Sequence, residues 1–239
     1  MTTHQLHADS WDTWTPHSSD SVLIVGQQAP SAMLHLARSL AGTHQVVFLS
    51  NTTTTVGGGS LVTGSPAQSL AALRCTHEQL KERWRHEEDP HRPLLLAVDN
   101  LSDLLTSTRR WWSQSSGCDK PCPTTTYLAH ILRRGPRVNM HLAMAARVAA
   151  DVSCFVDEIS ARIALGPLPR ADLQALFPHD EIPALHPGHA LHGDAHQPHP
   201  SPAAVAMHPP QPGHDLHPDL DPTRQGWDQI RHAATRQEP

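Results

Sequence analysis

The sequence predicts an α/β fold with a mostly parallel β-sheet and helices on both of its faces. Two nearly continuous apolar runs, Leu94–Val98 and Met140–Ala146, are typical of strands that are buried on both faces. Strand candidates alternate with helical segments along the chain, as in parallel α/β sheets. A chain of 239 residues with 38% hydrophobic residues has the size and the apolar content for one domain.

The first half of the chain alternates strands and helices. Pro30 suits the first turn of a helix, because its missing N–H is not needed there. Leu70, Leu73, Leu80 and Trp84 recur at helical spacing in the second helix. The predicted elements are a strand at Ser21–Val25, a helix at Pro30–Ala41, a strand at Gln45–Ser50, a loop at Asn51–Ser60, a helix at Pro66–Glu88 and the strand Leu94–Val98.

The second half repeats the alternation. The predicted elements are a short helix at Leu101–Leu105, a loop at Ser113–Pro123, a helix at Thr126–Arg134, the strand Met140–Ala146, a strand at Arg162–Leu165 and a helix at Pro169–Phe177. A late hairpin is predicted at His189–His192 and Ala203–Met207.

Composition divides the chain into three parts. Residues 1–18 are polar without a period and are predicted to form an N-terminal arm, and 19–208 form the domain. Residues 209–239 read as a Pro/His-rich linker with a short tail helix. A net charge of −5 argues against non-specific DNA binding through a basic surface. No run could cross a bilayer and no secretory signal is recognised, so we expect a cytoplasmic protein.

The first strand leads into a segment of P-loop length. A working P-loop reads G-x-x-x-x-G-K-[ST], in which the lysine and the hydroxyl serve the phosphates and Mg²⁺. Ser31 stands at the second glycine, Ala32 at the lysine and Met33 at the hydroxyl, while Pro30 removes a backbone N–H. Alone, Gly26 would be a turn glycine. The candidate nucleotide-binding residues are Gly26, Gln27, Gln28, Ala29, Pro30, Ser31, Ala32 and Met33.

Three further candidates follow buried strands. Asp99 ends an apolar strand as a Walker B acid does, or it caps the helix that follows. Asn100 occupies the next position, where an acid would polarise the attacking water, and an amide cannot accept that proton. Arg147 follows Met140–Ala146, where it would face an anion or simply the solvent. These three form the predicted catalytic set.

Other arginines suggest contacts with partners. Arg162 leads a strand and would reach a neighbouring subunit's nucleotide as an arginine finger does, or lie on the surface. Arg133, Arg134 and Arg137 cluster around Gly135 and form the candidate DNA contact, because guanidinium groups neutralise phosphates.

In order and spacing, these segments resemble the FtsK/SpoIIIE family of DNA translocases within the HerA/FtsK group of P-loop ATPases. VLIVGQQAPSAMLHLARSL resembles the family's P-loop strand and helix, and LLLAVDNLSDLL its Walker B stretch with Asp103 as the second acid. LAHILRRGPRVNMHLAMAAR resembles its sensor strand, and ARIALGPLPRADLQALF its closing strand and helix. The resemblance covers about residues 20–208, and short actinobacterial plasmid-transfer members are the nearest.

The resemblance implies a RecA-like P-loop NTPase fold, ATP and Mg²⁺ as cofactors and double-stranded DNA as a partner. It also implies a ring formed with itself or with an intact FtsK-like ATPase. Ala32, Met33, Asn100 and Arg147 depart from the family's catalytic pattern. The sequence therefore predicts a degenerate nucleotide site without robust ATP hydrolysis, in a protein associated with DNA translocation or conjugal transfer.

Two alternative functions stay open. Type VII secretion ATPases carry FtsK-like domains with degenerate sites that bind protein substrates, and Arg147 resembles those domains. A non-enzymatic scaffold with a metal-binding His-rich tail is the other alternative, although the irregular spacing of the histidines predicts no defined metal site. Cys118 and Cys122 read as loop thiols. Trp111 and Trp112 would anchor an interface or pack beneath a loop.

Overall fold

The computed structural model describes residues 5–6, 21–51, 54–115, 120–159, 161–178, 182, 184–187, 190–194 and 201–205. Strands and helices alternate along these residues, with short 3-10 turns after β6. The elements are β1 (Gln5–Leu6), β2 (Ser21–Val25), α1 (Ala29–Leu40), β3 (Gln45–Leu49), β4 (Leu61–Thr63), α2 (Pro66–Arg85), β5 (Leu94–Val98), α3 (Leu101–Ser115), α4 (Thr124–Arg134), β6 (Met140–Ala146), β7 (Ala161–Leu165), α5 (Arg170–Leu176), β8 (Ala190–Asp194) and β9 (Ser201–Val205).

The strands form one sheet in the order β1-β9-β8-β7-β2-β6-β5-β3-β4. From β7 to β4 every pairing is parallel, and β8 runs antiparallel to both β7 and β9. The prediction of a mostly parallel α/β sheet is confirmed. So is the pairing of the two longest apolar runs, because Leu94–Val98 lies beside Met140–Ala146 in parallel register.

Alternate residues of the central strands belong to two separate hydrophobic cores, one on each face of the sheet. In β5, Leu94, Leu96 and Val98 pack with side chains of α2, α3 and α4 on one face. Leu95 and Ala97 pack with α1 on the opposite face. Every residue of β5 is buried, so the continuous apolar run reflects a strand covered on both sides.

Several boundaries differ from those predicted. α3 runs to Ser115, so the predicted loop at Ser113–Pro123 begins inside a helix. β4 lies within a segment for which no strand was predicted. The late hairpin is present as β8 and β9.

The ends of the chain are only partly described. Gln5–Leu6, inside the predicted arm, forms β1 at the edge of the sheet. Residues 209–239 and most of 1–18 lie outside the described residues. Of the helices in the described part of the chain, none combines the length and the apolar character needed to cross a bilayer.

Candidate functional site

Three of the predicted site residues meet at the carboxyl edge of the sheet. Val25 and Ala146 pair in register as the last residues of β2 and β6, so Gly26 and Arg147 leave the sheet side by side. Asp99 follows β5 at the same edge. The order of the sequence segments predicts Gly26 beside the carboxyl end of β5, and this prediction is wrong, because β6 lies between β2 and β5. Ligands of open α/β sheets bind at this edge.

Gly26 is fixed by a close approach to the neighbouring strand. Its φ is +139°, and its amide donates to the carbonyl of Ala146 at 3.0 Å. A Cβ at this position would lie 2.4 Å from the carbonyl oxygen of Leu165 at the end of β7. Both the backbone angle and the available space therefore require glycine.

The turn after Gly26 is short. α1 begins at Ala29, so only Gln27 and Gln28, both exposed, separate it from Gly26. The amide of Ala29 donates to the carbonyl of Gly26, and the amide of Ala32 to that of Gln28, each at 3.0 Å. Pro30 has no amide hydrogen. Of residues 29–32, three therefore offer no free N–H to an anion. Ser31 is the exception.

The side chains at the lysine and hydroxyl positions of a P-loop are buried at the start of α1. Ala32 is 1% exposed and Met33 is fully buried, and both belong to the core beneath α1. Ser31, between Pro30 and Ala32, is exposed. The exposed side chains of this region are thus polar and uncharged: two glutamines and one serine.

Asp99 is bound by a hydroxyl of the neighbouring strand's end. Ser50 Oγ, directly after β3, donates to Asp99 Oδ2 at 2.6 Å. Ser50 is in turn linked to Thr63 Oγ1, which lies 2.8 Å from Ser69 Oγ. This buried chain of hydroxyls, the Asp99–Ser69 network, runs from β5 through β3 and β4 to the first turn of α2. Burial raises the pKa of the Asp99 carboxyl, against smaller opposing effects of Ser50 and the Asn100 amide.

Asn100, not Asp99, caps the following helix. Asn100 Oδ1 accepts from the amide of Asp103 at 3.3 Å, and Asn100 Nδ2 donates to Asp103 Oδ2 at 2.6 Å. The carbonyl of Asn100 accepts from the amide of Leu104. This reciprocal arrangement resembles a capping box. The helix cap that the sequence offered as an alternative role for Asp99 is therefore formed by Asn100.

The raised pKa of Asp99 predicts how the substitution Asp99→Asn changes stability with pH. Because the folded carboxyl holds its proton to higher pH than the unfolded one, ionisation of Asp99 costs stability as pH rises through the folded pKa. We expect Asp99→Asn, which still accepts from Ser50, to be more stable than wild type at pH 7.5. The difference should shrink as the pH approaches 4.5. Thermal unfolding of both proteins across this range tests it, and a difference that grows on acidification would contradict it.

The structure places Arg162 inside the protein, whereas the sequence predicted either a surface residue or an arginine that faces a neighbouring subunit. It is only 8% exposed, and its guanidinium donates to the carbonyls of Leu176 (2.8 Å) and Val156 (2.6 Å). The side chain thus ties β7 to the end of α5 and to a 3-10 turn of its own chain. It is not a surface residue, and its two hydrogen bonds named above go to carbonyls of its own chain. Arg147, by contrast, is exposed.

Arg162→Met tests this assignment by stability. Methionine keeps the apolar stem but removes the guanidinium donors to the carbonyls of Leu176 and Val156, so we expect a loss of about 2–3 kcal/mol in the free energy of unfolding. Arg147→Met is the matched control and should change it by less than about 0.5 kcal/mol. Urea unfolding of the two variants compares them. Equal, small effects would restore the inter-subunit interpretation of Arg162.

The candidate DNA-contact arginines lie at the opposite edge of the sheet. They surround the turn from α4 to Met140, the first residue of β6, whereas Gly26 and Asp99 follow strand ends. Arg133 forms a two-pronged ion pair with Glu158, with N–O distances of 2.6 and 2.5 Å. The Arg137 guanidinium lies 5.9 Å from the centre of the Trp84 ring. Arg134 is exposed.

Sequence reasoning missed Ser50 and gave Arg83 no structural role. Ser50 binds Asp99, and its signal was the same as that of Asp99: a polar residue directly after an apolar strand. Arg83 donates to the carbonyls of Val138 and Asn139, and burial lowers its pKa to about 10. In the described part of the chain, no group of three His, Cys, Asp or Glu side chains is placed to hold a metal ion.

Several solved structures share this architecture. The cytoplasmic domain of the type VII secretion ATPase EccC from Thermomonospora curvata aligns over 81% of this chain, with a TM-score of 0.55 and 17% identity. The chain has a RecA-like P-loop fold. The pCW3 conjugation coupling protein TcpA, in complex with ATPγS, aligns over 79% with a TM-score of 0.55 and 10% identity. The genome-packaging NTPase B204 of Sulfolobus turreted icosahedral virus 2, in complex with AMPPCP, aligns over 80% with a TM-score of 0.54 and 10% identity.

The RecA-like chain spans differing shares of these proteins. It covers 26% of the EccC chain, 60% of the TcpA chain and all of B204. No protein-family model matches the sequence, and no curated protein matches it. The shared property is therefore the fold.

Proposed function

We propose that this protein is an FtsK/SpoIIIE-like domain whose nucleotide site has lost hydrolysis, and that it acts in DNA translocation or conjugal transfer as a partner of an intact FtsK-like ATPase. The observation that carries the proposal is the early start of α1. A P-loop holds phosphates with the amides of its loop and with its lysine. Here the corresponding residues form the first turn of a helix, and Ala32 and Met33 are buried in the core.

The residues present do not fit Mg-ATP held in the usual P-loop manner. None of residues 27–33 is a cation that could neutralise the β- and γ-phosphates as the P-loop lysine does, and Asp99 is hydrogen-bonded to Ser50. Asn100 is occupied with capping α3 and cannot accept a proton from water. Each missing group removes transition-state stabilisation on the order of 3 kcal/mol, by analogy with single-donor deletions. Any role of the domain in transfer then rests on binding rather than on chemistry.

Steady-state ATP turnover by the purified full chain tests the loss of hydrolysis. We expect a rate indistinguishable from that of the Asp99→Ala variant at saturating ATP and Mg²⁺. A wild-type rate of roughly 1 s⁻¹ that is abolished by Asp99→Ala would overturn the proposal.

Binding of duplex DNA tests the partner assignment. Because Arg133 is committed to Glu158, Arg134 and Arg137 remain to neutralise phosphates, giving a salt slope of about −2 for a single protomer. We expect weak binding by the chain alone and tight, salt-sensitive binding when an intact FtsK-like ATPase of the same genome is added. Fluorescence anisotropy with and without that ATPase measures it, with Arg134→Ala/Arg137→Ala as the variant and Arg147→Ala as the control. Tight binding by the isolated monomer, or no effect of the double substitution, would contradict it.

A role in type VII secretion is the second candidate, because the cytoplasmic domain of the type VII secretion ATPase EccC is among the similar structures. In that case the same anisotropy experiment would give no DNA binding in either condition. Copurification with a small secreted protein encoded nearby would then favour secretion. The scaffold alternative rests on the His-rich tail, which lies outside the described residues.

A further inference from the structure

Two histidines meet in the seam between α2 and α4. His77 is 7% exposed, and its Nε2 lies 2.9 Å from Nδ1 of His130. The His77 ring also packs against the Tyr127 ring, with 4.7 Å between the ring centres and an angle of 30° between the planes. His77 is thus enclosed by two rings of α4, one turn apart.

The hydrogen bond between the two imidazoles constrains their protons. One ring nitrogen must donate and the other must accept, so the contact exists only while at least one ring is neutral. The second nitrogen of His77, Nδ1, is buried and has no hydrogen-bond acceptor among the described residues. A proton added there would have no hydrogen-bond partner, and its nearest acidic atom, Glu78 Oε1, is 3.9 Å away.

The charges around His77 oppose its protonation. Lys81 on α2 and His130 and Arg134 on α4 disfavour a positive ring, and only Glu78 on α2 favours it. α3, which also packs against α2, contributes none of these groups. Glu78 is 61% exposed and binds Lys81 at 2.8 Å, so its effect is weakened. Burial, the largest cause, and these charges lower the pKa of His77.

We propose that the His77–His130 pair is an acid-sensitive latch that holds α2 against α4 at neutral pH and releases the seam when the pair takes up a second proton. The same two helices are joined again further along, where Trp84 Nε1 donates to the carbonyl of Arg134 at 3.2 Å. Arg134 and Arg137 lie at that end of the seam. Release of the latch would therefore leave the arginine end of the seam held by this bond of Trp84 and by those of Arg83 to Val138 and Asn139.

The direction of the pH effect follows from linkage. Because the folded His77 binds a proton less readily than the unfolded one, the pair's contribution to stability is complete above about pH 6.5 and decreases as the pH falls below it. Removing the titrating ring should remove this part of the pH dependence. Glutamine at 77 and asparagine at 130 retain a polar group at the position of the bonding nitrogen.

Tyr127 supplies the readout, because it is the only tyrosine of the chain. In the full-length protein labelled with ¹³C-tyrosine, we expect the ring resonances of Tyr127 to titrate with a midpoint below pH 6.5. This titration should disappear in His77→Gln, change its midpoint in His130→Asn, and persist unchanged in His35→Gln, which removes an exposed histidine of α1. Hydrogen exchange at pH 5.5, corrected for intrinsic rates, should rise in α2 and α4 of wild type relative to pH 7.5.

Different results would overturn the latch. A Tyr127 resonance that does not move between pH 7.5 and 5, or that titrates unchanged in His77→Gln, would remove its basis. So would unchanged protection of α2 and α4 at pH 5.5. If His77→Gln does not fold, His130→Asn alone decides, because His130 is only partly buried.

Discussion

Gly26→Ala is expected to abolish the stable fold. The new Cβ would lie 2.4 Å from the Leu165 carbonyl oxygen, and the backbone angle of +139° is one that alanine rarely adopts. Neither β2 nor β7 can move away, because their residues are fully paired within the sheet. Strain and overlap together should cost at least about 4 kcal/mol, a large part of the stability of an ordinary domain.

Two other glycines allow the effect of backbone strain to be measured apart from the effect of steric overlap. Gly57 has φ +92° but open space at its Cβ position, so Gly57→Ala should carry the backbone strain alone, about 1–2 kcal/mol. Gly42 has neither feature, and Gly42→Ala should change stability by less than about 0.5 kcal/mol. Circular dichroism during urea unfolding ranks the three variants. If Gly26→Ala lowers the free energy of unfolding no more than Gly57→Ala does, the close approach of Gly26 to β7 is not the cause of destabilisation.

Ala32→Lys should destabilise the protein rather than restore a phosphate site. Position 32 is 1% exposed and faces the core beneath α1, so a lysine there must bury an unpaired ammonium, give up its proton or displace the helix. We expect a loss of about 3–5 kcal/mol in the free energy of unfolding.

Ser31→Lys, at the exposed neighbouring position, is the matched control and should be nearly neutral. A stable Ala32→Lys/Met33→Ser protein that binds ATP more tightly than wild type would mean that residues 29–33 can form a phosphate loop. That outcome would remove the observation on which the loss of hydrolysis rests.

The strands at the centre of the sheet were predictable because burial on both faces produces an unmistakable pattern. Leu94–Val98 and Met140–Ala146 are buried at every position, and their apolar runs predict this burial. β4 was not predictable, because three residues at the edge of the sheet are too few to show a period.

The candidate site was predictable in its location and less so in its detail. Gly26, Asp99 and Arg147 meet at one edge because parallel strands end together. The spacing of a motif, however, does not say where a helix starts, and Ala29 was read as part of a loop. The burial of Arg162 depends on the carbonyls of Val156 in a 3-10 turn and of Leu176 at the end of α5, and backbone carbonyls carry no sequence signal.

The short turn after Gly26 has a consequence for how the protein behaves in a cell. Molecules whose phosphate loop is organised by a nucleotide gain stability by mass action, in proportion to the logarithm of the nucleotide concentration. Here the turn is already closed by the bonds from Ala29 to Gly26 and from Ala32 to Gln28. Its folded population should therefore stay constant while the ATP supply rises and falls.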